Sequence, residues 1–117
     1  MSRVIYIPTF SNSKGSLSVI ENLLNFSIKR VYYIYNICGV RGQHKHLRTI
    51  QFFICLNGKV ELIVKNKYQK KYILSKPNKG VLLQPDDWHE FKSLTKNTVV
   101  LVLASHKFSK KDYIYEK

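Results

Sequence analysis

Hydrophobic and polar residues alternate along most of this chain with a period of two, and no long segment repeats with the period of an α-helix. Successive side chains of a β-strand point to opposite faces, so the alternation predicts strands that each bury one face. The predicted strands lie at residues 3–10, 16–20, 28–37, around 44–46, 49–56, 59–64, 68–74, 80–84, 88–94 and 98–104. The chain after residue 104 is polar and basic, and no further strand is predicted there.

Short polar segments with turn-forming residues separate the predicted strands. Residues 11–15 have the composition of a turn, Asn57-Gly58 between two β-rich runs predicts a β-hairpin, and Asn66-Lys67 marks another turn. Many short strands with a turn roughly every 8–12 residues predict an all-β sandwich or barrel. The chain has no internal repeat and no linker, so we expect a single domain over residues 1–117.

The composition is that of a folded protein. Of the 117 residues 44% are hydrophobic, and no apolar run approaches the roughly 18 residues of a membrane-spanning helix. The N-terminus lacks the long apolar core of a signal peptide, so we expect a cytoplasmic protein with no membrane partner. In that compartment Cys38 and Cys55 are expected to be free thiols.

A formal charge of +13 predicts an anionic partner, which could be nucleic acid, an anionic lipid surface or a phosphorylated small molecule. Proteins that bind nucleic acid usually concentrate their basic residues on one face or arm. Here the lysines are spread along the chain and no nucleic-acid recognition motif is visible, so a nucleic-acid partner is not expected.

Candidate chemistry centres on the segment Arg41-Gly-Gln-His44-Lys-His46. Two histidines at i and i+2 of a strand project from the same face, while Lys45 points to the other face. Imidazole titrates near neutral pH and can both take and give a proton. Together with Arg41, the pair predicts a site that binds an anion and moves protons.

The spacing around these histidines resembles the first cupin motif, which continues with Gln51 and Gly58, and Gly80, Pro85 and His89 echo the second. Metal-binding cupins usually have Glu, a carboxylate ligand, at the position of Gln51. His44, His46 and His89 could still form a three-histidine metal site, which stays open as an alternative.

A narrower resemblance extends over nearly the whole chain. Its motifs are Phe26–Ile34, Arg41-Gly42 with His44-x-His46, Pro85-x-x-Trp88-His89-Glu90, Val102–Ser105 and Asp112-Tyr113-Ile114. In this order they resemble the WxcM-like family of cupins, the sugar-nucleotide 3,4-ketoisomerases. The resemblance implies a single cupin-type jelly roll (a double-stranded β-helix) that forms a homodimer by exchanging N-terminal strands. It also implies conversion of a dTDP-linked 4-keto-6-deoxy sugar into its 3-keto isomer, for surface glycans, without a metal or organic cofactor.

By the family pattern, His46 is the catalytic base and His44 its partner, which donates to or relays protons between the two sugar oxygens. Guanidinium groups bind phosphate oxygens in bidentate fashion, so Arg30 and Arg41 are the candidate ligands of the diphosphate. The remaining candidates for substrate binding are aromatic or amide side chains, namely Tyr32, Tyr33, Gln51 and Trp88. Alternation places only one of the two tyrosines beside the histidines, and leaves the other for the core. Trp88 either stacks on the base or walls the sugar pocket, or else packs in the core.

The chain departs from the family pattern near both ends. It has Asn12-Ser13-Lys14-Gly15 where members usually carry Asp-x-Arg-Gly, a basic segment at 106–111 where the family is acidic, and Tyr115 where an Arg is expected. These departures leave the substrate and the dimer contacts open.

The alternatives to a ketoisomerase are a metal-dependent or 3,5-epimerase-like cupin enzyme and a binding module without catalysis.

Overall fold

The computed structural model describes all 117 residues, which form twelve β-strands and one 3-10 turn. The strands are β1 (Arg3–Tyr6), β2 (Thr9–Asn12), β3 (Gly15–Ser18), β4 (Arg30–Ile34), β5 (Arg41–His46), β6 (Gln51–Asn57), β7 (Val60–Lys65), β8 (Gln69–Leu74), β9 (Lys79–Leu83), β10 (Trp88–Ser93), β11 (Val99–Ala104) and β12 (Tyr113–Ile114), and the turn spans Lys110–Asp112. One sheet has the order β1-β9-β6-β11-β4, a second has the order β12-β5-β10-β7-β8, and β2 and β3 form a separate hairpin.

Between β4 and β12 the chain passes repeatedly from one five-stranded sheet to the other, as the strand orders show. This connectivity is that of a jelly roll, and it confirms the predicted all-β fold. Alternation along the strands places one set of apolar side chains between the sheets, including Phe53, Leu62, Leu83 and Val100. A smaller buried cluster lies on the other face of the first sheet, where Phe52 and Leu82 pack against the segment that precedes β4. The fold contains no helix with the length and apolar character that a bilayer crossing requires.

The first predicted strand, residues 3–10, is divided in the structure. β1 pairs with β9, whereas β2 leaves the sandwich and pairs with β3. Pro8 lies between them, and because proline has no backbone N–H it interrupts a ladder of hydrogen bonds.

The prediction of a hairpin at Asn57-Gly58 is wrong. β6 belongs to the first sheet and β7 to the second, so this turn connects the two sheets and does not join neighbouring strands. Gly58 has a φ of +82°, and a Cβ at this position would lie 2.6 Å from Oγ1 of Thr98 and 3.0 Å from its Cα. Glycine is therefore required, but by the crossover and its close packing and not by a hairpin.

The C-terminal segment, for which no strand was predicted, adds β12 to the edge of the second sheet. β12 pairs with β5 so that Tyr113 lies opposite His46 and Ile114 opposite Lys45. The strand has only two residues, too few for an alternation that sequence alone would reveal. Its consequence is that the end of the chain lies beside the histidine pair.

Candidate active site

A cavity of about 450 Å3 lies beside the histidine pair and extends between the two sheets. Six of the eight site residues predicted from sequence line it, namely Arg30, Tyr32, Tyr33, Arg41, His44 and Gln51, whereas His46 and Trp88 do not. Its wall also includes His89, Tyr113 and Tyr115, which were not predicted to bind substrate. The cavity thus brings together basic, aromatic and imidazole side chains from β4, β5, β6, β10 and the C-terminal segment.

His44 and His46 lie on the same inward face of β5, because alternation directs Lys45 away from them. Their ring centroids are 5.0 Å apart and the planes meet at 82°. The His89 ring, on β10, is 4.9 Å from that of His44 and nearly perpendicular to it. His44 therefore lies between two other imidazoles.

His46 forms a hydrogen-bonded pair with Asp112. The Nδ1–H of His46 donates to Oδ2 of Asp112 over 2.8 Å, and both side chains are buried. The backbone N–H of Arg48 donates to Oδ1 over 2.8 Å, and the Thr49 hydroxyl also donates to Oδ2. A carboxylate only accepts, so the proton of neutral His46 is held on Nδ1 and the lone pair lies on Nε2.

The electrostatics keep the carboxylate charged and the imidazole neutral. Burial pushes the pKa of Asp112 up, but the hydrogen bonds from Thr49, Arg48 and His46 hold it below the ordinary value. Burial lowers the pKa of His46, and the Asp112 carboxylate opposes that shift. His46 is thus a free base at neutral pH whose protonated form has a nearby anionic partner.

His44 and His89 form no salt bridge with a carboxylate. Burial, with the nearby His46, lowers the pKa of His44 to about 4, and burial lowers that of His89 to about 3. The Nδ1–H of His89 donates to the backbone carbonyl of Asp87 over 3.0 Å. Both rings are therefore neutral at physiological pH, and each can offer one N–H and one lone pair.

Several buried polar atoms at the site have no hydrogen-bond partner: Nε2 of His44, Nε2 of His46 and Oε1 of Gln51. A buried polar group without a partner costs about 1–3 kcal/mol. Such atoms concentrated in one place are typical of a site that a ligand completes.

Gln51 and Tyr32 form a hydrogen-bonded pair across the first sheet. The Gln51 amide donates to the Tyr32 hydroxyl over 2.8 Å, which leaves the phenolic proton free to be donated to another acceptor. Burial, with the neighbouring Tyr113, raises the pKa of Tyr32 to about 12. Tyr32 is therefore a hydrogen-bond donor at neutral pH and not a phenolate.

Arg30 is held at the cavity by aromatic contacts. Its guanidinium carbon lies 4.3 Å from the centre of the Tyr32 ring and 5.3 Å from that of Phe108. Nη1 donates to the Tyr113 hydroxyl over 3.2 Å. Stacking leaves the edge of the guanidinium available for an anion. Arg41 lines the same cavity from the first position of β5.

Alternation along β4 and β10 explains where two other predicted residues lie. Tyr32 faces inward, so Tyr33 points outward. Tyr33 borders the cavity, but its side chain is exposed and stacks on Tyr35. Tyr33 is therefore not the core residue that was predicted. His89 faces the cavity, so the adjacent Trp88 points to the opposite side of its sheet. Trp88 is buried and does not line the cavity, so of its two predicted roles the structure supports packing in the core and not the wall of the pocket.

The site residues that the sequence reasoning missed come mainly from the C-terminal segment. Asp112 and Tyr113 belong to a motif that the family resemblance had already singled out, but their contact with His46 depends on β12 joining β5. No group of three or more His, Cys, Asp or Glu side chains is arranged to hold a metal ion.

Comparisons with known proteins agree with this geometry. The family model described as "FdtA: WxcM-like, C-terminal" matches residues 1–117. A TDP-4-oxo-6-deoxy-alpha-D-glucose-3,4-oxoisomerase from Aneurinibacillus thermoaerophilus is 37% identical over 97% of this chain and 85% of its own length.

Solved structures show the same relationship. The sugar 3,4-ketoisomerase QdtA from Thermoanaerobacterium thermosaccharolyticum, in complex with TDP, matches with a TM-score of 0.95 and 35% identity over 98% of this chain and 88% of its own. A TDP-quinovose 3,4-ketoisomerase from Campylobacter jejuni matches with a TM-score of 0.93 and 29% identity over 98% and 92% of the two chains. The predicted family and isomerase class are confirmed. This chain belongs to the WxcM-like family of sugar 3,4-ketoisomerases.

Proposed function

We propose that the protein isomerises a TDP-linked 4-keto-6-deoxyhexose to the 3-keto sugar, with His46 as the base. The observation that carries this proposal is the buried, unpartnered Nε2 of His46, whose ring is oriented by Asp112 through Nδ1. One similar enzyme, a variant of the Thermoanaerobacterium QdtA, has been solved in complex with TDP-4-keto-6-deoxyglucose.

The reaction moves a carbonyl group by two proton transfers at carbon. Nε2 of His46 removes the proton from C3, the electron pair forms the C3–C4 double bond, and the C4 oxygen takes up a proton to give an enediol. The C3 hydroxyl then loses its proton, the carbonyl forms at C3, and the imidazolium of His46 returns a proton to C4. Protons balance, and no oxidant or reductant is consumed. Asp112 stabilises the imidazolium between the two transfers.

Neutral groups stabilise the charge that develops on the sugar oxygens. A neutral imidazole can donate from one nitrogen and accept at the other, so His44 can carry the proton from one oxygen to its neighbour. The Tyr32 hydroxyl, oriented by Gln51, is a second donor at the cavity wall. Preorganised donors of this kind are typically worth a factor of 10²–10³ or so in rate.

The diphosphate is bound by Arg30 and Arg41, which line the cavity. The +13 charge of the chain adds long-range attraction for an anionic substrate. Arg30 is already oriented by Tyr32 and Tyr113, so little side-chain entropy is lost when it binds.

The direct test is incubation of the purified protein with TDP-4-keto-6-deoxyglucose and detection of the 3-keto product by NMR. We expect product with the wild-type protein and a rate lower by at least about 100-fold with His46→Asn. Absence of product with folded wild-type protein would refute the proposed activity.

We also propose that the protein acts as a homodimer. The β2–β3 hairpin pairs with no other strand, and Phe10 and Leu17 lie opposite each other on it with 66% and 62% of their surfaces exposed. An isolated two-stranded hairpin is at best marginally stable in water. A second copy of the chain would cover this apolar pair. Analytical ultracentrifugation should show a dimer, and Phe10→Asp with Leu17→Asp should shift it to monomer; a wild-type monomer at micromolar concentration would contradict the proposal.

A further inference from the structure

The last residues of the chain are held in place at both ends. At one end Asp112 accepts hydrogen bonds from His46, Arg48 and Thr49. At the other end Nζ of Lys117 lies 4.7 Å from the centre of the Trp88 ring. Between these points Nε1–H of Trp88 is directed at the backbone carbonyl of Tyr115, 3.4 Å away. The segment therefore has a defined path and is not a free tail.

Trp88 is the anchor for this path. It is the only tryptophan, and just 2% of its surface is exposed although it points away from the cavity. Lys65, at 5.2 Å, and Lys117 both lie within cation–π distance of its ring. Trp88 takes part in no step of the reaction. Its contacts with Tyr115 and Lys117 instead fix the position of the C-terminal segment.

The side chain that the segment presents to the cavity is Tyr115. Its ring is 6.4 Å from that of Tyr113, with 28° between the planes, and 6.1 Å from that of His44. The Tyr113 ring is in turn 4.5 Å from that of His46. Tyr115 lines the cavity and yet has 69% of its surface exposed, which places it at the mouth.

We propose that Tyr115 binds the nucleobase of the sugar nucleotide by stacking, and that Trp88 and Lys117 position it through the C-terminal segment. The inference rests on the proposed function. The reacting sugar must lie in the cavity beside His44 and the neighbouring ring of His46, so the part of the ligand that reaches the mouth is the nucleotide. A pyrimidine ring is planar and stacks on an exposed aromatic face, whatever its hydrogen-bonding edges.

Ligand binding tests this assignment without reference to catalysis. We would titrate wild type, Tyr115→Ala, Tyr115→Phe and Tyr68→Ala with TDP and, separately, with inorganic pyrophosphate, which has no base. Tyr68 is the matched control, an exposed tyrosine outside the cavity. We expect Tyr115→Ala to weaken TDP binding on the order of ten-fold and to leave pyrophosphate binding unchanged, whereas Tyr115→Phe and Tyr68→Ala bind TDP like wild type.

The positioning role has its own readout. If Trp88 acts through Tyr115, Trp88→Phe, which loses the N–H, should weaken TDP binding several-fold in the wild-type background and not at all in Tyr115→Ala. In steady state Tyr115→Ala should raise KM and leave kcat within about two-fold. The fluorescence of Trp88 should change when TDP binds to wild type, and less in Tyr115→Ala.

The outcomes separate the inference from the proposed function. Wild-type protein that binds TDP, together with a Tyr115→Ala variant within two-fold of it, overturns the role of Tyr115 and leaves the isomerase proposal standing. Additive effects of Trp88→Phe and Tyr115→Ala overturn the positioning role. If the wild-type protein fails to bind TDP, both the role of Tyr115 and the proposed isomerase function are overturned.

Discussion

The substitution Asp112→Asn tests the most specific feature of the site, the orientation of His46. The amide has the shape of the carboxylate, and its oxygen can still accept from the Arg48 N–H. Its NH2 group then faces Nδ1 of His46, where the carboxylate had accepted a hydrogen bond of 2.8 Å. Because an NH2 group donates, Nδ1 must become the acceptor and the proton of neutral His46 moves to Nε2.

The expected loss follows from that change of tautomer. Nε2 is the buried nitrogen that has no partner in the protein, and once it carries the proton it cannot remove another from the sugar. A positioned base contributes roughly 10²–10⁴ in rate, so kcat should fall by that factor, which is about 3–5 kcal/mol of activation free energy. KM should change little, because Asp112 does not line the cavity.

The assay measures kcat and KM for wild type, Asp112→Asn and Asp87→Asn, with thermal unfolding of each. Asp87 is the matched control, because it is equally buried and its carboxylate accepts from Asn66 and the backbone N–H of Gln84 instead of a histidine. We expect both variants to lose stability, by about 1–3 kcal/mol, and only Asp112→Asn to lose kcat by 100-fold or so. A folded Asp112→Asn protein whose kcat lies within ten-fold of wild type would refute the reasoning.

Four further predictions concern the pH dependence of activity, the pH dependence of stability, and the substitutions Arg30→Lys and Gly58→Ala. Because burial lowers the pKa of His46 and the free base is the active form, kcat/KM should be constant near pH 7 and decline only on the acid side of pH 6.5, as a pH–rate profile would show; a decline that begins above pH 7 would contradict it. Burial lowers the pKa of His89 from its ordinary value of 6.5 to about 3, so between these pH values the unfolded chain binds a proton that the folded chain does not. The melting temperature should therefore fall as the pH is lowered through that range. A melting temperature that does not change with pH there would count against a buried neutral His89 ring. Arg30→Lys loses the planar stack and the fork and should weaken TDP binding on the order of ten-fold in calorimetry, while equal affinity would exclude Arg30 as a phosphate ligand. Gly58→Ala places a Cβ at a positive φ and in close contact with Thr98, so it should lower the free energy of unfolding by about 3 kcal/mol in denaturant titrations. Gly39→Ala, where a Cβ has open space, should lower it by only about 1 kcal/mol. Equal losses would refute the packing argument.

Local patterns predicted most of the strands. Alternation places His44 and His46 on one face whatever the rest of the fold, and it requires that Tyr32 and Tyr33 face opposite ways. The same rule, applied to β10, could have removed Trp88 from the pocket once His89 was placed in it. These inferences need only the geometry of a single strand.

Features that depend on contacts between residues distant in sequence could not be predicted from local patterns. Asn57-Gly58 has the composition of a hairpin turn, but the strands on either side pair with different neighbours, and only the global arrangement decides between a hairpin and a crossover. Asp112 reaches His46 across 66 positions of sequence, through a strand of two residues with no pattern of its own. The cytoplasmic location and the absence of a nucleic-acid partner stay predictions of the sequence.

Whether His46 is the base is tested most directly by following TDP-4-keto-6-deoxyglucose by proton NMR in D2O with wild type and His46→Asn. We expect wild type to convert the sugar to its 3-keto isomer with solvent deuterium at C4, the carbon that receives the proton, and His46→Asn to do neither at a comparable rate. Conversion and deuterium uptake that proceed undiminished in folded His46→Asn would show that another group moves the proton, and would exclude His46 as the base.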